Sequence, residues 1–317
     1  MSLSGALRIF RLPNLLMVAI TMYLMRFTII KPILFRYGIE LQVSEISFLG
    51  LVLSTMLITA AGYVINDYHD VKADRINKPD KMVIGIHVSR RAALLLHGLL
   101  NAAGVLAGTV FSLLYHVPWM ILVFAGAPLL LWYYSVRLKH VLLAGNLAVS
   151  LLTATVPLLV VLFEYPMLAR NFRFNTEFYP QGLITILLWV LVFAFFAFMT
   201  NLIREIIKDA QDVEGDKELK SLTVPIVWGL PKTRLVVAGL AALTIAALSF
   251  IFLTFLTDTV SLIYFAMALL LPFIYLIYRT LMATDADDFK FLSQWVKLIM
   301  LLGILYAPVV HCLNRLF

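Results

Sequence analysis

Ten of the 18 acidic residues in this 317-residue chain fall in two short windows. The first reads Asn66-Asp67-Tyr68-His69-Asp70-Val71-Lys72-Ala73-Asp74, with Asp80 just beyond. The second runs Glu205-Ile206-Ile207-Lys208-Asp209-Ala210-Gln211-Asp212-Val213-Glu214-Gly215-Asp216, followed by Glu218. Asp67, Asp70 and Asp74 are spaced i, i+3, i+7, and so are Asp209, Asp212 and Asp216. On a continuous helix that spacing places each triplet on one face. The pairs sit at a constant separation of 142 residues, from Asp67 to Asp209 onward, and Val71 repeats as Val213. This predicts two related halves, roughly 1–140 and 141–317, within one domain covering 1–317.

Three carboxylates on one helix face repel each other unless a cation sits among them. Hard oxygen ligands favour Mg²⁺ or Ca²⁺, and Mg²⁺ typically takes one or two carboxylates plus substrate phosphates. The expected chemistry is therefore Mg²⁺ held by Asp67, Asp70, Asp74, Asp209, Asp212 and Asp216, with a diphosphate bridged between facing triplets. Hydrolytic two-metal sites usually add histidine ligands. Only His69 is close, and its place beside Asp70 points it off the triplet face, as a loop or interface residue.

Phosphate oxygens also call for cationic and hydrogen-bonding partners. Asn66 and Lys78 flank the first triplet, and Asn201, Arg204 and Lys208 lead into the second. Tyr134 and Lys139 occur together in Tyr133-Tyr134-Ser135-Val136-Arg137-Leu138-Lys139. Lys139 is a candidate for the same cavity, and at least one of the tyrosines suits the membrane interface. Arg26, a charge inside an apolar segment, is a site candidate or a snorkelling side chain. Asn14 and Asn146 line the cavity or bond between helices. Lys72, Lys217 and Lys220 are read as membrane anchoring.

The elements that must position these residues are membrane helices. Hydrophobic residues make up 62% and charged residues 14%, and the mean hydropathy is +0.95, whereas a soluble domain carries about 25% charged residues. Residues 46–65, 141–163, 181–203, 235–257 and 259–278 contain no Asp, Glu, Lys or Arg, and 92–136 is long enough for two spans broken near Tyr115-His116-Val117-Pro118. About 20 such residues cross a bilayer core. With 13–35 and 293–311, nine spans are expected. Placing the N-terminus in the cytoplasm puts 19 of the 25 Lys and Arg on that side, from Arg8 and Arg11 onward, and leaves Arg315 among the few on the far side. Both acidic windows then follow spans on the cytoplasmic side. The net charge of +7 reads as topology and contact with anionic membrane lipid, not as nucleic-acid binding. Cys312 alone makes no intramolecular disulfide, and neither a cleavable signal peptide nor an obligate protein partner is evident.

These residues resemble the UbiA superfamily of intramembrane prenyltransferases. Asn66-Asp67-x-x-Asp70-x-x-x-Asp74 and Asp209-x-x-Asp212-x-x-x-Asp216 are similar to its paired motifs. Arg8-x-x-Arg11-x-x-Asn14 looks like its first-helix motif. Tyr134-Ser135-x-x-Leu138-Lys139 with Gly145-Asn146, and Asn201 through Asp216 with Thr223-Val224-Pro225, are similar to two further stretches. The resemblance implies an all-α fold of nine transmembrane helices around a central cavity under a cytoplasmic cap. It also implies Mg²⁺-dependent transfer from a prenyl diphosphate to a lipophilic acceptor, at a site facing the cytoplasm. In a bacterium or archaeon the membrane would be the plasma membrane. Asp80-Lys81-Met82-Val83-Ile84-Gly85 departs from the Pro-rich run of many aromatic-acceptor members, and Asn201–Asp216 is similar to members that prenylate geranylgeranylglyceryl phosphate. Aromatic acceptors of quinone, haem or chlorophyll pathways are the alternative. A secondary transporter is the alternative of another class, but transporters place charges near the bilayer midplane, and both windows lie at membrane edges.

Overall fold

The structure, a computed structural model, describes residues 9–256 and 258–314. Arg8, Arg315 and the side chain of Lys81 lie outside the described residues. The described chain is helical, and the only extended pairing among those residues is an isolated bridge between Ile84 and Val88. Among the described residues, eight helices are long and apolar enough to cross a membrane: α1 (Leu12–Arg36), α2 (Glu45–Asn77), α3 (Arg90–Leu114), α5 (Ala144–Asn171), α6 (Gln181–Gln211), α8 (Val224–Phe255), α9 (Thr259–Met282) and α10 (Ala286–Leu313). Between α3 and α5 lies α4 (Met120–Val136), apolar but only 17 residues long. A short helix, α7 (Val213–Glu218), follows α6. The nine apolar segments read from sequence are thus all helical. Eight reach spanning length, and the break expected within 92–136 falls between Leu114 and Met120.

Two compact units can be described separately. The first contains the chain up to Leu138 and Val156–Val190; the second contains Lys139–Thr155 and the chain from Leu191. In the first, α2 starts where the Ser44 side chain accepts from the Ser47 backbone N–H, an N-cap that satisfies one of the helix's orphan donors. Its 33 residues reach about 50 Å at about 1.5 Å per residue, against a hydrocarbon core of about 30 Å. The surplus carries the polar run from Asn66 to Asn77 beyond the apolar stretch. The helix stops at Lys78, before Pro79, as the steric demand of proline on its predecessor dictates. Close packing of α3 comes from Gly104 and Gly108, four residues apart. The Ser54 hydroxyl donates to the Gly104 carbonyl at 2.6 Å. A Cβ on Gly108 would lie 2.3 Å from the Phe124 ring, so small residues set the approach of α2, α3 and α4.

Arg26 occupies a π-helical turn, Met25–Ile30, that precedes Lys31-Pro32 in α1. Its side chain is 1% exposed. Its guanidinium donates to Glu164 Oε1 at 3.0 Å, to Glu45 Oε1 at 3.1 Å and to the Val43 carbonyl, and lies 4.4 Å from the Phe48 ring centre. Glu164, equally buried, also accepts the backbone N–H groups of Gln42 and Val43. Desolvating two charges costs several kcal/mol per ion, which only such multiple bonding offsets. Arg26 therefore neither snorkels nor lies with the first acidic window. Its partner Glu45 begins α2, about 33 Å along the axis from Asp67. It fastens the α1–α2 connection to α5 instead.

In the second unit, α8 bends at Gly229 (φ 77°, ψ 160°), two residues before Pro231. Phe196 of α6 packs edge-on against Phe273 of α9 and fills the space that a Cβ on Gly303 of α10 would need.

Candidate functional site

The first acidic window lies wholly on the unbroken end of α2, so Asp67, Asp70 and Asp74 share one helical face as their spacing predicts. Arg11, just ahead of α1, donates to Asp67 Oδ1 at 2.5 Å and stands 4.9 Å from the Tyr63 ring centre. Arg11 has a left-handed backbone (φ 50°, ψ 53°), an unfavourable geometry for a residue with a Cβ. Asn66 donates through Nδ2 to Asp70 Oδ2 at 2.7 Å, one turn on. Its Oδ1 is buried without a hydrogen-bond partner. His69 stacks edge-on against Tyr68 and lies on the helix, not in a loop. Lys78 caps α2, its backbone N–H bonding the Asp74 carbonyl at 2.8 Å. Asn14 lies in the first turn of α1, and Tyr134 near the end of α4.

The second window is built differently. α6 ends at Gln211, and Asp212 leaves helical geometry (φ −103°, ψ 17°) before α7 begins. The expectation of one continuous helical face is corrected here: Asp209 belongs to α6, Asp212 to the break and Asp216 to α7. Asp212 takes the N-cap position of α7, which aspartate favours. Asp209 accepts from Asn146 Nδ2 of α5 at 2.8 Å. The Ser150 hydroxyl donates to the Asn146 carbonyl at 2.6 Å and accepts from Asn201 Nδ2 at 3.3 Å. Asn201, assigned from sequence to the substrate, is thus linked through Ser150 to the backbone of Asn146, whose side chain bonds Asp209. Arg204 and Lys208 both bond Glu205, at 3.1 Å and 2.8 Å, and the Arg204 Nε is buried without a partner. Lys139 lies in the turn Leu138–His140.

Sequence reasoning missed three partners: Arg11 for Asp67, Asn146 for Asp209, and Glu205 for the two cations. Arg11 and Asn146 lie within segments that the family resemblance picks out, yet nothing local in the sequence pairs them with a particular aspartate.

The donor set suits Mg²⁺. It is all oxygen, and the buried Oδ1 of Asn66 is an acceptor without a donor beside Asp67 and Asp70. Among the described residues no three His, Cys, Asp or Glu side chains form a ready-made cage. An ion that keeps waters and takes substrate phosphates as ligands does not require one.

A helical membrane protein with an Asp-rich window at the end of each of two long helices defines the class. Residues 34–302 match the UbiA prenyltransferase family, and the chain belongs to that family. It is a multi-pass integral membrane protein. Curated relatives carry the name digeranylgeranylglyceryl phosphate synthase. The Methanopyrus kandleri protein is 32% identical over 78% of this chain and 82% of its own length. The Methanoregula boonei protein is 35% identical over 61% of each chain, and the Pyrococcus horikoshii protein 34% identical over 59% of this chain and 58% of its own. The chain thus matches about three fifths of the length of these last two. Among solved structures, one described as digeranylgeranylglyceryl phosphate synthase aligns over 98% of both chains with TM-score 0.65 and 20% identity. A UbiA homolog from Archaeoglobus fulgidus bound to DMAPP and Mg²⁺ aligns over 96% of this chain and 99% of its own, with TM-score 0.55 and 17% identity. These likenesses establish the fold.

Proposed function

We propose that this chain transfers a prenyl group from a prenyl diphosphate to geranylgeranylglyceryl phosphate. The observation that carries the reading is the pair of matched Asp windows, each at the end of a helix longer than the bilayer core. The name borne by the relatives, digeranylgeranylglyceryl phosphate synthase, supports the acceptor, and the A. fulgidus neighbour's bound DMAPP and Mg²⁺ support the donor and the metal. We read α4 as a ninth crossing, the two windows as facing the cytoplasm under a cap, and 1–317 as a single catalytic domain.

In this reading Asp67 and Asp70 with Asn66 Oδ1, and Asp209, Asp212 and Asp216, hold Mg²⁺, with Asp74 completing the first face. Bound there, Mg²⁺ supplies Lewis-acid stabilisation of the negative charge that grows on the departing pyrophosphate. Arg204, Lys208, Lys78 and Lys139 bind phosphate oxygens by charge-assisted hydrogen bonds. Asn146 orients Asp209, and Asn66 orients Asp70. The acceptor hydroxyl forms the new C–O bond with the allylic carbon as the C–O bond to pyrophosphate breaks, and its proton leaves to solvent or phosphate. Apolar helices keep water from the allylic carbon, where it would give the free alcohol instead.

The test uses the full chain in nanodiscs with Mg²⁺, labelled geranylgeranyl diphosphate, and glyceryl-phosphate and aromatic acceptors. The expected product is the doubly prenylated glyceryl phosphate. Prenylation of aromatic acceptors alone would replace the acceptor assignment, and ion flux with no Mg²⁺-dependent product would overturn the enzyme reading.

A further inference from the structure

We propose that His140 is a positioning residue, whose bond to Ser221 holds the turn that carries Lys139 against the end of the helix that carries Asp216. The inference rests on the function proposed above and concerns the second unit alone. His140 Nδ1 and Ser221 Oγ are 2.7 Å apart, and the Leu222 backbone N–H donates to the His140 carbonyl at 3.0 Å. The Ser221 residue is 1% exposed, so its hydroxyl is committed to this contact and not to solvent.

The end of α7 shows what the contact fixes. The Ser221 N–H returns to the Asp216 carbonyl at 2.9 Å, and the Lys220 N–H to the Lys217 carbonyl at 3.0 Å. Lys220 has φ 54°. This is a Schellman closure with lysine at the left-handed position usually given to glycine. A lysine is disfavoured there, so the turn gains from being held from outside. The hold comes from His140, 81 residues earlier in the chain, through one side-chain and one backbone bond. Lys139 precedes His140 directly, and Asp216 accepts the Ser221 N–H. The His140–Ser221 pair therefore sets the spacing of one phosphate-binding cation to one metal-holding carboxylate. Neither residue needs to touch the substrate.

Steady-state prenyl transfer tests this in H140A, S221A, the double variant, H140N and H140Q, with thermal unfolding recorded for each. Loss of one such hydrogen bond should raise KM for the prenyl diphosphate about fivefold in either single variant. The double variant should add nothing further, because both changes remove one interaction, and kcat should change less than KM. H140N should restore KM, since its amide can take the Nδ1 position. H140Q, whose amide reaches the Nε2 position, should not. Wild-type KM in H140A, additive effects in the double variant, or failure of H140N to restore KM would each overturn the inference. Should H140A not fold, S221A and H140N decide the matter. Wild-type protein showing neither turnover nor Mg²⁺-dependent pyrophosphate binding by calorimetry defeats the functional reading itself. Wild-type activity with unaltered H140A defeats only the role of His140.

Discussion

The two acidic windows share a spacing but not a construction. The first is one face of a single unbroken helix, with Asp67, Asp70 and Asp74 fixed by 3.6-residue periodicity, Asn66 bonding within the same helix and Arg11 reaching Asp67 from outside it. The second is distributed over α6, a break at Asp212 and the separate helix α7. Its order is supplied by other parts of the chain: Asn146 from α5 on Asp209, and the His140 contact behind Asp216. Identical spacing thus yields a preorganised face in one place and an assembled one in the other. Repeated spacing repeats side-chain chemistry without repeating backbone geometry.

The most severe way to break the comparison is to remove one carboxylate from each window. Asp67→Ala and Asp209→Ala should each lower turnover by about a hundred- to a thousandfold, as loss of a charge-stabilising group does, in the labelled-diphosphate assay. Near wild-type activity in either would mean that the two windows do not serve the same reaction. A smaller and more discriminating effect comes from inserting one alanine. Placed between Val71 and Lys72, it turns Asp74 by about 100° and shifts it about 1.5 Å relative to Asp67, and should cost about a hundredfold in kcat/KM. Placed between Gln211 and Asp212, where helical geometry is already interrupted, it should cost about tenfold. Equal losses would show that the break behaves as rigidly as the helix.

Asn146→Ala should come next. It leaves Asp209 without its donor, and a hydrogen bond to a charged group contributes about 1.5–3 kcal/mol. The expected result is a rise of at least about tenfold in the Mg²⁺ concentration giving half-maximal turnover. The change should exceed that of Asn66→Ala only if the second window depends more on outside support. The smallest effect concerns stability. Lys220→Gly relieves the left-handed residue closing α7 and should raise stability by no more than about 1 kcal/mol, read as a small increase in the thermal midpoint. A decrease would mean that the Lys220 side chain contributes more than its backbone costs.

The helices and the acidic chemistry were legible in the sequence because their signals are local. Runs without charge specify spans, Pro79 ends α2, and Asp spacing on an uninterrupted helix specifies a face. Arg26 shows the limit. A lone charge in an apolar segment reads equally well as a site residue or as a snorkelling one, and its neighbours do not separate these readings. Its partner Glu164 is 138 residues away, and only folding brings the two together. The break at Asp212 was hidden for a related reason, since Asp lowers helix propensity only weakly and the spacing alone looks continuous.

By itself, then, the sequence determined that this is a multi-spanning membrane protein with two matched acidic windows, because hydropathy and helical periodicity act over a few turns. Tertiary structure alone decided which groups partner those windows: Arg11 pairs with Asp67 and Asn146 donates to Asp209, while Glu205 pairs with Arg204 and Lys208. It also decided that the second face is assembled where the first is continuous. A side chain's charge and donors are written in its type, whereas the partner that meets them is set by which distant segments the apolar packing brings within about 3 Å.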